Sequence, residues 1–284
     1  MNEPKVKIFV GYYKPNKIYA SDVFQPILTA PIDWDAEGII RDYNGINIAE
    51  KNKNYAELTG HYWVWKNFLP DTKAEYVGFC HYRRFLDFGI NKTPNVPFKP
   101  VFDTEFDKIF PSYTEENIMK VIEGYDVVLP YKFSFEESLY TQYLKYHPAK
   151  ELKFALEVIQ EIYPEYYFEA LNFIAFNKMY ICLNFIMKKE LLEEYMEWMF
   201  NLLFAIEKKS DWSQYNQYMT VRVPAFIAER FFNIWLIHNI KKKNLKVLDT
   251  TSVLLIGEDY GAEGECKSRQ QMYDICVRSP LFRD

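Results

Sequence analysis

Three side chains that can bind an anion follow directly on a short apolar run in the first half of the chain. The run is Tyr76–Cys80, and His81, Arg83 and Arg84 come immediately after it. An arginine is permanently charged and its guanidinium matches the geometry of phosphate oxygens, so two adjacent arginines indicate an anion site, above all one for phosphate. The alternative is structural, because either arginine could pair with a nearby carboxylate such as Asp87.

The elements around this group predict how it is positioned. Tyr76–Cys80 is typical of a buried parallel strand, and side chains at the carboxyl end of such a strand project into the crevice where open α/β sheets bind ligands. Lys5–Val10 and Asp126–Pro130 predict further strands, while apolar residues recur every three or four positions in Tyr55–Leu69 and predict a helix. This alternation indicates an α/β fold with a largely parallel sheet.

The second half of the chain is richer in helical patterns. Helices are predicted at Pro148–Ile162, at Leu191–Ile206 and from Pro224 onward. The apolar run Tyr180–Met187 predicts a strand that Asn184 interrupts. A buried polar side chain is costly unless it is bonded, so Asn184 either bonds a backbone group or faces a ligand.

Two further stretches offer ligand-binding candidates. Gly11, Tyr12 and Tyr13 follow the predicted first strand, at a place where nucleotide-binding α/β folds contact the base or ribose. A later loop is dense in Asn, Asp and Gly, and its Asp42 and Asn47 carry groups that can bind sugar hydroxyls. The same composition is equally typical of a solvated connector with turns.

Charge, motifs and cysteines exclude several classes of protein. The chain has 284 residues, with 34 basic against 39 acidic ones and a net charge of -5, so nucleic acid is not an expected partner. The sequence lacks the glycine-rich dinucleotide-binding motif, the P-loop motif and the nucleophile-elbow motif. Dinucleotide-dependent oxidoreductases, P-loop enzymes and typical α/β-hydrolases are therefore excluded. Its four histidines lack metal-binding spacing, so no metal site is predicted. The separated cysteines, Cys80, Cys182, Cys266 and Cys276, are typical of reduced thiols in a cytosolic protein.

The expected location is the cytoplasm, with the inner face of the cell membrane as the second candidate. The amino terminus shows no charged-then-apolar leader, and no apolar stretch approaches the ~18 residues of a membrane span. Lys241–Lys243 and exposed aromatic side chains are candidates for peripheral contact with a membrane. Lysines at a helix end more commonly interact with the helix dipole.

Four blocks of the sequence together resemble a known family. They are NIAEKNKNYAELTGHYWVWKN (Asn47–Asn67), YVGFCHYRRF (Tyr76–Phe85), LNFIMKKELLEEY (Leu183–Tyr195) and AERFFNIW (Ala228–Trp235). The family is found in bacterial capsular and exopolysaccharide loci, was first catalogued as a domain of unknown function, and is regarded as glycosyltransferases, including galactofuranosyltransferase-type members. The resemblance spans most of the chain.

This resemblance implies a glycosyltransferase-A-like α/β fold: a mostly parallel central sheet flanked by helices, with a helix-rich C-terminal half. It implies a single domain over residues 1–284, in which about 1–130 bind a nucleotide sugar and about 131–284 form the acceptor side. The implied reaction is transfer of a hexose, galactofuranose among the candidates, from a UDP-linked donor to a glycan or lipid-linked glycan acceptor.

The resemblance also implies roles for residues on the donor side. In better-known members of that fold, an Asp-x-Asp motif after the corresponding strand holds a divalent ion on the donor diphosphate. Here His81-Tyr-Arg83 stands at the equivalent place. Arginines can neutralise a diphosphate, so no cofactor is expected and a divalent ion such as Mn²⁺ or Mg²⁺ is not favoured. The expected donor contacts are Gly11, Tyr12, Tyr13, Asp42, Asn47, His81, Arg83 and Arg84.

An inverting transfer requires a carboxylate that deprotonates the acceptor hydroxyl. Glu229 is the first candidate because of its place in the block Ala228–Trp235, and Asp87 is the second. Asn184 and Arg230 are expected on the acceptor side. The structural alternative is that Glu229 and Arg230 form an ion pair on a solvated helix face. Two rival functions stay open: a non-catalytic module that binds nucleotide sugars or glycans, and a sugar hydrolase with paired carboxylates.

Overall fold

The structure is a computed structural model that describes residues 3–29, 31–90 and 95–256. Two of the four cysteines, Cys266 and Cys276, lie outside these residues, while Cys80 and Cys182 are free thiols.

The strands are β1 (Val6–Tyr12), β2 (Phe24–Leu28), β3 (Ile40–Arg41), β4 (Tyr76–His81), β5 (Arg84–Leu86), β6 (Phe98–Phe102), β7 (Val127–Pro130), β8 (Phe133–Ser134), β9 (Lys178–Met179), β10 (Phe185–Lys188), β11 (Val247–Thr250) and β12 (Ser252–Ile256). The helices are α1 (Asn52–Tyr55), α2 (Leu58–Trp63), α3 (Asp103–Ile109), α4 (Glu115–Ile122), α5 (Leu139–Tyr146), α6 (Ala149–Ile162), α7 (Tyr167–Ala175), α8 (Lys189–Lys209), α9 (Tyr218–Val221) and α10 (Val223–Lys243).

The main sheet has the order β3-β2-β1-β4-β10-β7-β11. Its pairs are parallel except around β10, which runs antiparallel to both β4 and β7. The prediction of a mostly parallel sheet is therefore confirmed. The chain leaves β1 towards β2 on one side and later returns to place β4 on the other side. The strand order thus reverses between β1 and β4, and such a switch point is where open α/β sheets bind ligands.

The register between β1 and β4 brings their carboxyl ends together. Val6 pairs with Tyr76 at one end and Gly11 pairs with His81 at the other. On its other side β4 lies unusually close to β10 at Gly78, where an added Cβ would lie 2.4 Å from the carbonyl oxygen of Phe185. A glycine at this position therefore lets an antiparallel strand pack against the centre of the sheet.

Alternate residues of the strands enter two apolar cores on opposite faces of the sheet. Phe9 and Phe79 belong to the core that α6, α8 and α10 cover, while Ile8 and Val10 face the other core with residues of α3 and α4. The six helices α5–α10 all follow β7, so the prediction of a helix-rich C-terminal half is confirmed for the described residues. None of the helices in those ranges is long and apolar enough to cross a membrane.

The prediction of one helix over Tyr55–Leu69 holds only from Leu58. The helix α1 ends at Tyr55, and Ala56 then adopts a left-handed conformation with φ 48°. A second helix begins at Leu58 and continues as a π-helical turn over Val64–Phe68. The apolar spacing was correct from Leu58 to Phe68, but it could not indicate the break at Ala56.

The prediction of a strand over Tyr180–Met187 holds only from Phe185. Cys182 and Leu183 have φ angles of 69° and 44°, which interrupt any strand and are uncommon for residues with a side chain. Such conformations persist where the surrounding structure imposes them, often near a functional site.

Candidate active site

A cavity of about 1060 Å³ opens at the carboxyl ends of β1 and β4, at the switch point of the sheet. Gly11 and Tyr12 line it from β1, and Cys80 and His81 line it from β4. Its volume lies at the upper end of the range for small-molecule sites, about 300–1,000 Å³. It therefore has room for a ligand with several rings.

The opposite wall of the cavity comes from the C-terminal half of the chain. It consists of the segment from β8 into α5, the strained segment before β10, and the segment around α9 with the first turns of α10. The lining residues from these helices and their flanks include Gln142, Lys145, Tyr146, His147, Tyr218, Met219, Val221, Arg222, Ala225, Phe226, Glu229 and Arg230. The cavity thus lies between strand ends and helices that are far apart in sequence.

Positive charge converges on His81 at the sheet side of the cavity. Burial lowers the pKa of this imidazole well below its ordinary value, and the charges of Arg84, Arg83, Arg222 and Lys14 lower it further. The ring is therefore neutral at physiological pH. Four cations close enough to act on one half-buried ring define a strongly electropositive place, suited to an anionic ligand.

The two adjacent arginines occupy different places. Arg84 begins β5, pairs with His81 in the antiparallel register, and lines the cavity. Arg83 is not among the lining residues, and its guanidinium lies 5.4 Å from the centre of the Tyr82 ring. The main-chain N–H of Arg83 donates to Nδ1 of His81 at 3.4 Å, which leaves the proton of the neutral ring on Nε2.

Glu229 brings a carboxylate to the cavity from α10. Its Oε1 accepts a hydrogen bond from the main-chain N–H of Cys182 at 2.8 Å, and its Oε2 lies 3.3 Å from Nη1 of Arg230. Burial raises the pKa of Glu229 and outweighs the opposing effects of Arg230 and the Cys182 N–H. A partly buried carboxyl with a raised pKa at a cavity wall is suited to proton transfer.

The interpretation of Glu229 and Arg230 as a solvated surface pair was wrong. Their side chains are 20% and 5% exposed, and both line the cavity. Nη2 of Arg230 donates to Oε1 of Gln142 at 2.6 Å, and Nη1 donates to the carbonyl of Phe226 at 3.0 Å. Arg230 is therefore fixed by α5 and by its own helix, where it holds one oxygen of Glu229.

The segment with left-handed conformations is clamped by α10. Asn233 accepts from the main-chain N–H of Tyr180 at 2.9 Å and donates to the carbonyl of the same residue at 2.8 Å. One helical turn earlier, Glu229 accepts from Cys182. These bonds from one helix face stabilise the strained backbone at Cys182 and aim its N–H at the carboxylate.

The cavity lining includes an ion pair that was not predicted from the sequence. Nη2 of Arg222, just before α10, lies 2.9 Å from Oε2 of Glu57, just before α2, and both residues line the cavity. Glu57 lies within the block Asn47–Asn67, and Arg222 directly precedes the helix that opens near Pro224. These positions were the available signals, but 165 residues separate the two partners.

The predicted residues at the end of β1 all line the cavity. Tyr12 is fully buried, and its hydroxyl donates to the carbonyl of Lys17 at 3.0 Å. Tyr13 is 43% exposed, and its ring centre lies 5.8 Å from that of His81. Gly11, Tyr13 and His81 thus form one continuous part of the lining.

Asp42 and Asn47 lie outside the cavity lining. Asp42 is buried and accepts a hydrogen bond from the hydroxyl of Thr59, and burial raises its pKa. The amide of Asn47 donates to the carbonyls of Tyr43 and Gly45, both at 2.8 Å, and so closes a turn. Both side chains serve the local structure, as the connector interpretation of this loop expects.

Asp87 and Asn184 also lie outside the cavity lining. Asp87 is buried, and its main-chain N–H donates to Thr251 beside β12. The amide of Asn184 donates to Ser252 Oγ at 3.2 Å and to the carbonyl of Arg84 at 3.4 Å, so it bonds a backbone group, one of the two predicted alternatives. Asp87 is therefore the weaker of the two candidate bases, and Asn184 supports the backbone of Arg84.

A metal ion was not favoured from the sequence. Within residues 3–29, 31–90 and 95–256, no three His, Cys, Asp or Glu side chains come together in a group that could hold one.

The sheet order defines an α/β fold with a cavity at its switch point. The chain belongs to the family described as Domain of unknown function (DUF4422), whose model matches residues 7–241. A solved structure described as the apo form of the WbbM bifunctional glycosyltransferase is similar to it, with a TM-score of 0.78 and 33% sequence identity. The match covers 88% of this chain and 45% of that one, so the chain spans about half of that structure's length. No curated protein matches the chain. The resemblance found in the four sequence blocks is confirmed.

Proposed function

We propose that the chain is an inverting glycosyltransferase of glycosyltransferase-A type that acts in capsular or exopolysaccharide synthesis. It transfers a hexose from a UDP-linked donor to a glycan or lipid-linked glycan acceptor. The observation that carries this proposal is one cavity that contains both an electropositive place around His81 and the carboxylate of Glu229. The similar solved structure, described as a glycosyltransferase, supports it.

The donor diphosphate binds at the carboxyl ends of β1 and β4, where Arg222 of the helical wall lies close enough to His81 to lower its pKa. Arg84 and Arg222 provide charge-assisted hydrogen bonds to the phosphate oxygens, and His81 donates its Nε2–H. Arg83 and Lys14 contribute positive potential from outside the lining. These cations replace a bound divalent ion, so transfer proceeds without one.

The nucleoside lies along the end of β1. The backbone of Gly11 allows close approach of a ligand, and the exposed ring of Tyr13 provides a face on which a base can stack. This arrangement follows the general rule that nucleotides bind at the carboxyl ends of strands next to the switch point.

Glu229 is the general base. Its carboxylate removes the proton of the acceptor hydroxyl while the oxygen attacks the anomeric carbon and the bond to the diphosphate breaks. The leaving diphosphate carries the developing negative charge, which Arg84 and Arg222 stabilise. The Cys182 N–H and Arg230 hold the two carboxylate oxygens, so the base is oriented before substrate binds.

The proposal is tested by release of free nucleoside diphosphate from a panel of nucleotide sugars with oligosaccharide acceptors, in chelator and again with Mn²⁺. Acceptor-dependent release in chelator is the expected result. Saturable binding of the sugar nucleotides without release, with every acceptor, would instead support a non-catalytic binding module. Release only after Mn²⁺ is added would contradict metal-independent transfer.

A further inference from the structure

Large apolar side chains are concentrated on one part of the surface. Of the eleven that are exposed in the described part of the chain, five come from α5, α7 and the residue after α7, and a sixth ends α6. They are Tyr140, Leu144, Ile162, Phe168, Leu171 and Phe176. Phe168 and Phe176 are 69% and 65% exposed, so about two thirds of each residue's surface contacts solvent.

The helix α7 is apolar on both its sides. Ala170 and Phe173 are buried against the protein, while Phe168 and Leu171 lie one turn apart on the outer side. Its only charged residue is Glu169. A surface helix of a globular protein normally carries polar residues outward, so this composition indicates that the outer side has a binding partner.

The apolar side chains of α5 and α7 form one surface, here called the α5–α7 face and defined as Tyr140, Leu144, Phe168, Leu171 and Phe176. The main-chain N–H of Leu139 donates to the carbonyl of Phe176 at 2.7 Å, so the end of α7 meets the start of α5. The two helices also contact each other.

Basic residues flank the α5–α7 face. The exposed run Lys241–Lys243 ends α10, which packs against α7, and Lys241 lies 3.6 Å from Glu169. Lys243 contacts Glu194, while Lys178 and Lys242 are exposed and lie in no ion pair with another described residue. Glu165, just before α7, adds one exposed negative charge to this region. The two sequence features singled out for membrane contact, lysines and exposed aromatics, are therefore neighbours.

We propose that the α5–α7 face docks onto an anionic lipid surface. The apolar side chains enter the boundary between headgroups and acyl chains, and Lys178 and Lys242 meet the anionic headgroups. A second copy of the chain fits less well, because a twofold interface on this face would bring two lysine runs together.

Docking in this orientation places the cavity near the lipid. Lys145 and Tyr146 belong to α5 and line the cavity, so the α5–α7 face and the cavity share one helix. Resting on the proposed function, this arrangement would give the site access to an acceptor that is anchored in the membrane by a lipid.

The test is co-sedimentation of the full chain with vesicles of phosphatidylcholine, with or without phosphatidylglycerol. We expect binding to the anionic vesicles that weakens with salt, and a loss of about tenfold or more in F168S/F176S. The matched control is Y43S/I46S, which changes two side chains that are 53% and 59% exposed elsewhere and keeps wild-type binding. All four positions are exposed, so thermal unfolding should show wild-type folding in both variants.

Three outcomes would overturn docking: no preference for anionic vesicles, equal binding by F168S/F176S, or a dimer that this variant abolishes in the absence of vesicle binding. The last would assign the face to a second copy of the chain. Transfer to a soluble acceptor should be unchanged in F168S/F176S. Absence of transfer in the wild type as well would contradict the proposed function and leave the vesicle result standing.

Discussion

The two walls of the cavity are built in different ways. On the sheet side, main-chain pairing between β1 and β4 places Gly11 opposite His81. On the helical side, single side-chain bonds place the functional groups: Glu229 bonds Cys182, and Arg222 pairs with Glu57. A ladder of main-chain bonds tolerates loss of any one side chain, whereas the helical wall depends on each contact. Substitutions should therefore act locally in the first wall and more broadly in the second.

A buried carboxylate anchors the helical wall. Glu151 in the first turn of α6 is fully buried and accepts from Ser210 Oγ at 2.6 Å, Trp212 Nε1 at 3.1 Å and the Tyr215 hydroxyl at 2.9 Å. These three donors belong to the segment that leads into α9 and Arg222. One side chain thus fixes the path of the chain towards the cavity.

The largest effect is expected at the helical wall in Glu229→Gln. The amide oxygen can still accept from Cys182, but it cannot remove a proton, so transfer should fall by about 10²–10⁴-fold with donor affinity unchanged. Initial rates and calorimetric titration of the donor measure the two quantities. Glu157→Gln, on a 39% exposed side chain of α6, is the matched control with wild-type rates. Near-normal turnover in Glu229→Gln would show that another group is the base.

The next largest effect is expected from Glu151→Ala. Loss of the carboxylate leaves three donors without their acceptor, so the free energy of unfolding should fall by about 2–5 kcal/mol. Donor KM should rise too, because the segment carrying Arg222 is released. Chemical denaturation and steady-state kinetics measure both. Glu157→Ala on the same helix should change the stability by less than about 0.5 kcal/mol. An equal response of the two variants would contradict the anchoring role of Glu151.

A smaller and local effect is expected in the sheet wall from Gly78→Ala. The new Cβ would lie 2.4 Å from Phe185 O, so β4 and β10 must separate, at a cost of about 1–3 kcal/mol. Gly11→Ala is the control, because its nearest neighbour is Cys80 O at 3.7 Å, an ordinary contact. The midpoints of denaturant unfolding measure the stabilities of the two variants. Equal stabilities of Gly78→Ala and Gly11→Ala would contradict the close approach of β10 to β4.

The smallest expected effect is the contribution of Glu229 to the pH dependence of stability. Its pKa is raised by burial in the folded state, so the folded protein binds this proton more tightly than the unfolded chain does. Its stabilising contribution is therefore present at acid pH and is lost as pH rises through the raised pKa. Glu229→Gln should consequently be no less stable than the wild type at neutral pH, and unfolding curves recorded across this range measure the difference. A clear loss of stability at neutral pH would argue against the raised pKa.

The same contrast explains what could be predicted from the sequence. Strand β4 and the start of α6 directly after Pro148 follow from local patterns, as do His81 and Arg84 at the end of a strand. The break at Ala56 depends on the side chain of Asn52, which bonds both the carbonyl of Ala56 and that of Thr29. The spacing of apolar residues gives no information about such a tertiary contact.

The contacts that build the helical wall could not be predicted for the same reason. Glu229 was suggested by a family block, but its partner Cys182 is 47 residues away, and Glu57 and Arg222 are farther apart still. In the loop that contains Asp42 and Asn47, polar residues at turn-forming positions could be assigned equally well to a ligand or to the backbone. The structure gives their side chains backbone and Thr59 partners.

The central claim is that arginine, not a metal ion, holds a nucleotide-sugar diphosphate at the switch point. Its most direct test is calorimetric titration of UDP-sugars into chelator-treated wild type and Arg222→Met, with exposed Lys153→Met as the control. We expect saturable binding without divalent ions that weakens about tenfold or more in Arg222→Met and is unchanged in the control. Failure of every sugar nucleotide to bind, or binding that appears only with Mn²⁺, would contradict the claim.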